Sequence, residues 1–334
     1  MNTYLAYRCH NEDGRVRAAL ERLPLRDPST FSAGDVSVRV EWSSINYKDA
    51  LAATGSGKIM RSFPLTAGID LAGTVESSAD RRFTPGDAVL VVGCGLGEEY
   101  DGGFAEHAYV RGDWIVRLPT GLTLRDSMAI GTAGFTAALA LQRMEDNGLT
   151  PDLGPVAVTG ATGGVGSLAV DMLAARGYRV TAITGKADAA AYLERLGASE
   201  VLLAADLKLR GRPLETAQWA GAIDNLGGDM LAWLCATTQP LGSVASVGLA
   251  ASHKLETTVM PFILRGVNLL GTNSTYCPTA WRERVWGRLG SDLRPRALEA
   301  IVQRTVALTE LPGAFDGYLG RQVRGRTLVR TTAE

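Results

Sequence analysis

Val158-Thr-Gly-Ala-Thr-Gly-Gly-Val-Gly166 is the most informative segment of the chain. Before it, Pro155-Val-Ala-Val-Thr159 is an apolar run of strand length. After it, Val165, Leu168, Ala169, Met172 and Leu173 recur at helical spacing along one face, stopped by Gly177. A strand that runs through a glycine-rich turn into a helix leaves backbone N–H groups unpaired at the positive end of the helix dipole. That is where a dinucleotide pyrophosphate binds. Against the pattern G-x-G-x-x-G, Ala161 takes the first glycine slot, and Gly163 and Gly166 take the others. The strand before and the phased helix after supply the context that a bare glycine cluster lacks.

Working outward, strands and helices alternate after Gly154. Strands are expected at Tyr178–Thr184, Glu200–Ala204, Ala222–Asn225, Ser243–Val247 and Val267–Leu270, with a helix over Ala187–Leu196. Counting Pro155–Thr159, six strands in such a succession predict a doubly wound parallel sheet, hence an α/β fold. Upstream, Ser127–Met144 has helical spacing, while residues 1 to about 125 are β-rich. Asp35–Trp42 alternates with period 2, and Ala72–Glu76, Ala88–Val92 and Ala108–Val110 are short strand candidates between Gly and Pro turns. The tail offers a helix near Ala297–Gln303 and a strand at Thr327–Arg330 that returns to the first domain.

The type of dinucleotide is read at the end of the second parallel strand. An NAD site places an acid there for the ribose 2′-hydroxyl. This chain has Thr184-Gly185-Lys186 and no acid until Asp188, so a cation and a hydroxyl face the position of a 2′-phosphate. Tyr192, six positions further on, offers a ring or hydroxyl contact. NADPH is the expected cofactor.

Composition narrows the classes. The 334 residues carry 34 basic against 35 acidic side chains, so there is no electrostatic footprint for nucleic acid. The four cysteines, Cys9, Cys94, Cys235 and Cys277, have no C-x-x-C spacing, and the histidines are only His10, His107 and His253. That supports neither a disulfide framework nor a metal site. No apolar stretch approaches the ~20 residues of a membrane span. The N-terminus lacks the basic-then-apolar pattern of a secretory leader, so a cytoplasmic protein is expected.

Five segments together carry a family resemblance: Trp42–Asp49, Gly68–Gly73, Gly131–Ala137, the glycine loop, and Thr257–Arg265. The chain resembles the zinc-free medium-chain dehydrogenases/reductases of the quinone-oxidoreductase type, and within them the NADPH-dependent acryloyl-coenzyme A reductases. The resemblance implies a GroES-like catalytic domain over 1–126, completed by 295–334, and a Rossmann NADPH-binding domain over 127–294. It also implies a cytoplasmic homodimer acting on a small-molecule substrate, without nucleic acid, membrane or metal. Position by position, Tyr47 matches the tyrosine beside the nicotinamide and is the candidate catalytic residue. Thr162, Gly163, Gly164 and Val165 match the pyrophosphate loop, and Thr184, Gly185 and Lys186 the 2′-phosphate triplet. Leu249, Ile263 and Ser274 match positions lining the cofactor. Ala204 and Arg321 depart from the residues that relatives often carry there.

The implied reaction is reduction of the C=C bond of acryloyl-CoA to propanoyl-CoA, with quinone or enone reduction as the alternative and a non-enzymatic NADPH-binding role behind it. Tyr47 serves either as a donor to the thioester oxygen or as packing against the ring. Lys48 and Asp49 are expected to form a structural ion pair. Arg282, Arg284 and Arg288, the tail arginines Arg321, Arg324 and Arg326, and Arg61 are candidate contacts for the coenzyme phosphates, since arginine suits phosphate geometry.

Overall fold

A computed structural model describes residues 2–209 and 211–332. Two compact units are present. One comprises residues up to Thr132, Thr275–Gly290 and the chain from Val302 on; the other comprises Ala133–Ser274 and Ser291–Ile301.

The first unit opens with a long hairpin, β1 (Thr3–Glu12) and β2 (Arg15–Pro24). Its turn, Asp13-Gly14, holds both residues at positive φ (51° and 82°), the geometry that matches the twist of paired strands. Next come β3 (Asp35–Ile45), helix α1 (Tyr47–Thr54), β4 (Leu65–Thr66), β5 (Asp70–Ser78), β6 (Ala88–Val92), β7 (His107–Arg111) and β8 (Val116–Arg117). β4 joins the hairpin, while β3 pairs antiparallel with both β5 and β7. Val36, Val38 and Val40 of β3 are fully buried against Leu71, Val75, Val89 and Val91, so the period-2 pattern is the pattern of a core face.

A helical segment α2 (Leu124–Asp146) follows, broken at Gly131, where φ is 51° and ψ is −160°. The second unit begins within it. Its strands are β9 (Val156–Thr159), β10 (Val180–Thr184), β11 (Glu200–Leu203), β12 (Trp219–Asp224), β13 (Thr238–Ser246) and β14 (Asn268–Gly271). They form one parallel sheet in the order β11-β10-β9-β12-β13-β14. Helices α3 (Gly164–Ala175), α4 (Ala190–Arg195), α5 (Gly228–Thr237) and α6 (Met260–Arg265) connect or flank these strands. The order reverses at β9, and ligands of such sheets bind beyond the carboxyl ends of the strands at that point. β9 and β12 are buried throughout, which explains their unbroken apolar sequence.

The tail departs from expectation in one place. Of the helix expected near Ala297–Gln303 only Leu298–Ile301 is helical, and Val302–Ala307 is a strand, β15, parallel to β16 (Arg326–Arg330), with a further helix over Leu311–Leu319 between them. β16 pairs antiparallel with β3, so Thr327–Arg330 completes the first unit's sheet. Among the described residues no helix is long and apolar enough to cross a membrane.

Candidate functional site

In the second unit, β9 delivers the chain to Gly160, whose φ is 57°. The loop closes with Gly163 N–H donating to the Gly160 carbonyl at 2.9 Å, and α3 begins at Gly164 with Gly163 as its N-cap. Gly163 makes no side-chain cap, so the first N–H groups of α3 remain for a ligand. Gly166 is the tightest position. A Cβ there would collide with the Gly160 carbonyl oxygen and lie 2.6 Å from Ala161 Cα. Thr162 is buried, while Gly163, Gly164 and Val165 are half-buried at the loop's outer face. The loop is braced from behind: Ser167 Oγ donates to the Ala161 carbonyl at 3.2 Å, and Tyr192 OH donates to Ser167 Oγ at 2.9 Å. Tyr192 is thus a buried residue of the loop's support, its hydroxyl engaged at Ser167.

At the end of β10, Thr184 is buried and its Oγ1 accepts from Lys186 N–H at 3.1 Å, which turns the chain toward solvent. Gly185 is exposed, and a Cβ there would meet nothing within 4 Å. The sequence gives little warning of a second brace, Asp224 at the end of β12. Asp224 is fully buried; its carboxylate accepts from Thr159 Oγ1 at 2.6 Å and Gly227 N–H at 2.7 Å. Burial raises its pKa, and those donors oppose the rise. Asn225 Nδ2 donates to the Thr159 carbonyl at 2.7 Å, tying the ends of β9 and β12 together. Beside them a cavity of about 210 Å³ is lined by Gly227, Gly228, Ser246, Gly248, Leu249 and Ser252. Leu249 thus lines a cavity, Ile263 is an exposed residue of α6, and Ser274 is half-buried at this unit's edge.

In the first unit, Tyr47 is the first residue of α1 and is 40% exposed. Beneath it lies a buried polar cluster. Asp49 Oδ2 accepts from Asn46 N–H at 2.8 Å and Asp49 Oδ1 from Ile69 N–H at 2.9 Å. Asn46 Nδ2 donates to Asp70 Oδ2 at 2.8 Å and to Asp49 Oδ2 at 3.2 Å. Asp70, fully buried, also accepts from Ser44 Oγ at 2.6 Å and from both the N–H and the hydroxyl of Thr132. Arg326 Nη2 lies 3.6 Å from Asp70 Oδ2. Burial, reinforced by the neighbouring Asp70 charge, pushes the Asp49 carboxyl up to about 7 against the pull of its three N–H donors.

Two expectations are corrected here. Lys48 does not pair with Asp49: its Nζ meets Glu98 Oε1 at 2.9 Å, because adjacent helix residues point to different faces. Arg282 and Arg326 are not coenzyme contacts. Arg282 is 2% exposed and its Nη1 donates to the Val92 carbonyl at 2.6 Å; Arg326 is equally buried in the cluster just described. Arg61 is exposed, with its Nη1 2.9 Å from Glu99 Oε1.

The dinucleotide reading fits these residues, because the loop has the close backbone approach that only glycine at position 166 permits, together with open helix N–H groups. Among the described residues no three His, Cys, Asp or Glu side chains converge as a metal-ligand set.

Comparison with known proteins agrees with this geometry. The alcohol dehydrogenase GroES-like domain matches residues 32–120, and the zinc-binding dehydrogenase domain matches residues 164–290. The acrylyl-CoA reductase AcuI of Ruegeria pomeroyi is 47% identical over 96% of this chain and 97% of its own. YhfP of Bacillus subtilis, whose name places it with the quinone oxidoreductases, is 51% identical over 88% of this chain and 90% of its own. Its crystal structure with NAD bound has a TM-score of 0.95 at 46% identity, covering 99% of this chain and all of that one. The yhdH oxidoreductase of Salmonella enterica, solved in complex with NADP, gives 0.94 at 47% identity over 98% of this chain and all of that one. With a shared fold and such identity over nearly the full length, the chain belongs to the medium-chain dehydrogenase/reductase family, among relatives that include the acrylyl-CoA reductase AcuI and YhfP.

Proposed function

We propose that this protein is a zinc-free, NADPH-dependent reductase that converts acryloyl-CoA to propanoyl-CoA. The observation that carries the reading is the braced loop at Gly160–Gly166 ahead of Thr184-Gly185-Lys186, in a chain so similar to an acrylyl-CoA reductase. Thr162, Gly163, Gly164 and Val165 hold the pyrophosphate. Thr184, Gly185 and Lys186 hold the 2′-phosphate, with Tyr192 supporting the loop, and Leu249, Ile263 and Ser274 line the remainder. When bound, NADPH supplies the hydride that reaches the β-carbon of the enoyl thioester, and a proton from solvent or a side chain completes the α-carbon. Negative charge develops on the thioester oxygen as the β-carbon is reduced. Tyr47 donates a hydrogen bond from its hydroxyl to that oxygen, and stabilisation by preorganised donors is usually the largest single contribution to such catalysis. Quinone reduction is the second reading, favoured by the similarity to YhfP.

Lys186→Ala tests the cofactor assignment. A half-buried charge-assisted contact contributes about 1.5 kcal/mol, so NADPH kcat/KM should fall about tenfold while NADH kcat/KM stays level. Steady-state rates with both cofactors decide it. A parallel fall with both would mean that Lys186 does not face the 2′-phosphate.

A cytoplasmic homodimer completes the proposal. β14 is an edge strand of the parallel sheet, and Leu241, Val259 and Leu264 near it are all at least 60% exposed. Unpaired strand edges flanked by apolar side chains suit isologous pairing with a second copy. The double variant Leu241→Asp with Leu264→Asp should elute as a monomer in light-scattering chromatography while the parent elutes as a dimer. A parent that is itself monomeric would end this part of the proposal.

A further inference from the structure

We infer that Asp70 and Arg326 are positioning residues for the reduction, acting on Tyr47 through Asn46. This rests on Tyr47 taking part in the reaction as proposed above.

Tyr47 has an exposed side chain, so surrounding packing does little to aim it. Its direction is set by the backbone from which it springs, and that backbone begins at Asn46. Asn46 is gripped at three atoms. Its Oδ1 accepts from Arg326 Nη1 at 3.0 Å, its Nδ2 donates to Asp70 and Asp49, and its backbone N–H donates to Asp49. Only one orientation of the amide works, since the reverse would set Oδ1 against two carboxylates.

The chain is specialised for this grip. Arg326 also donates to Ser44 Oγ at 2.6 Å and to the Ala129 and Ile45 carbonyls at 3.1 and 3.3 Å, which fixes its guanidinium plane. Gly131 interrupts α2 in the left-handed region, and the break turns Thr132 N–H onto Asp70 at 3.0 Å. No other residue fits there: a Cβ would lie 2.5 Å from Arg326 Nη2, 2.6 Å from Asp70 Oδ2 and 2.8 Å from Ser44 Oγ. A fully buried ion pair at a broken helix is a poor source of stability compared with apolar packing. It is a good source of a single geometry, and Asn46-Tyr47 is the segment whose geometry it sets.

The test is a double-mutant cycle with Asn46→Ala and Tyr47→Phe, with Asp70→Asn as a second entry to the cluster. Asn46→Ala leaves Asp70 with Ser44, Thr132 and Arg326 and leaves Asp49 with its two backbone donors, so it is the milder entry, and thermal unfolding beside the kinetics checks that each variant is folded. Asn46→Ala and Asp70→Asn should each lower kcat with acryloyl-CoA about tenfold or more in the parent, leave NADPH affinity by fluorescence titration unchanged, and cause no further loss in the Tyr47→Phe background. Losses that multiply in the double variant, or an Asn46→Ala enzyme with parental kcat, would overturn the inference. If Tyr47→Phe alone keeps full turnover, the role of Tyr47 fails first, and the positioning role with it. If the parent does not reduce acryloyl-CoA but reduces a quinone, the same cycle is run on the quinone, which separates failure of the substrate reading from failure of the positioning role.

Discussion

Gly166→Ala is expected to weaken NADPH binding by about 100-fold or more, a change of about 2.7 kcal/mol. The added methyl would overlap the Gly160 carbonyl and the Ala161 backbone, both main-chain groups that cannot step aside as a side chain can. To relieve the overlap, α3 must move away from the end of β9. That spreads the N–H groups which converge on a phosphate and breaks the close approach that the loop depends on. The Ser167 and Tyr192 brace resists such movement, so the strain falls on the ligand site. Gly313→Ala is the matched control: this exposed helical position lies outside the dinucleotide site, its new methyl meets nothing within 4 Å, and binding should stay within about twofold of the parent. Fluorescence titration of both variants decides the point. Parental affinity in Gly166→Ala would mean that the pyrophosphate lies elsewhere.

Tyr47→Phe is expected to lower kcat with acryloyl-CoA by about 10²–10³-fold, the usual cost of removing one donor to a developing oxyanion. NADPH affinity should not change. Stability should hold within about 0.5 kcal/mol, because an exposed hydroxyl is removed and no core group is touched. Rapid-mixing kinetics beside thermal unfolding makes the check. A phenylalanine enzyme with parental turnover would reduce Tyr47 to packing.

Much of this was legible in the sequence. The parallel sheet could be read because strands such as β9 and β10 are short and apolar and end at a glycine, and because β9, the loop and α3 are continuous in the chain. Local chemistry also marked Thr184-Gly185-Lys186. The β1–β2 hairpin was legible in principle at Asp13-Gly14, but its strands are half-exposed and mixed in polarity. The cluster below Tyr47 was not legible. Asp70 and Arg326 are 256 positions apart, and only the folded sheet, in which β16 lies beside β3, brings them together. The same holds for Lys48 with Glu98 and for Arg282 with the Val92 carbonyl: long-range partners override the neighbours that the sequence offers. Gly131 showed as one residue of a helical pattern, and its role emerges only from what a Cβ would strike.

The most direct test is oxidation of NADPH by the purified protein with acryloyl-CoA, beside parallel reactions with free acrylate, a quinone and NADH. Fast turnover is expected with the thioester and NADPH, little with acrylate or quinone, and slower turnover with NADH. Turnover with the quinone alone would contradict the acyl-CoA reading and leave the dinucleotide site standing. Equal rates with NADH would contradict the role given to Lys186.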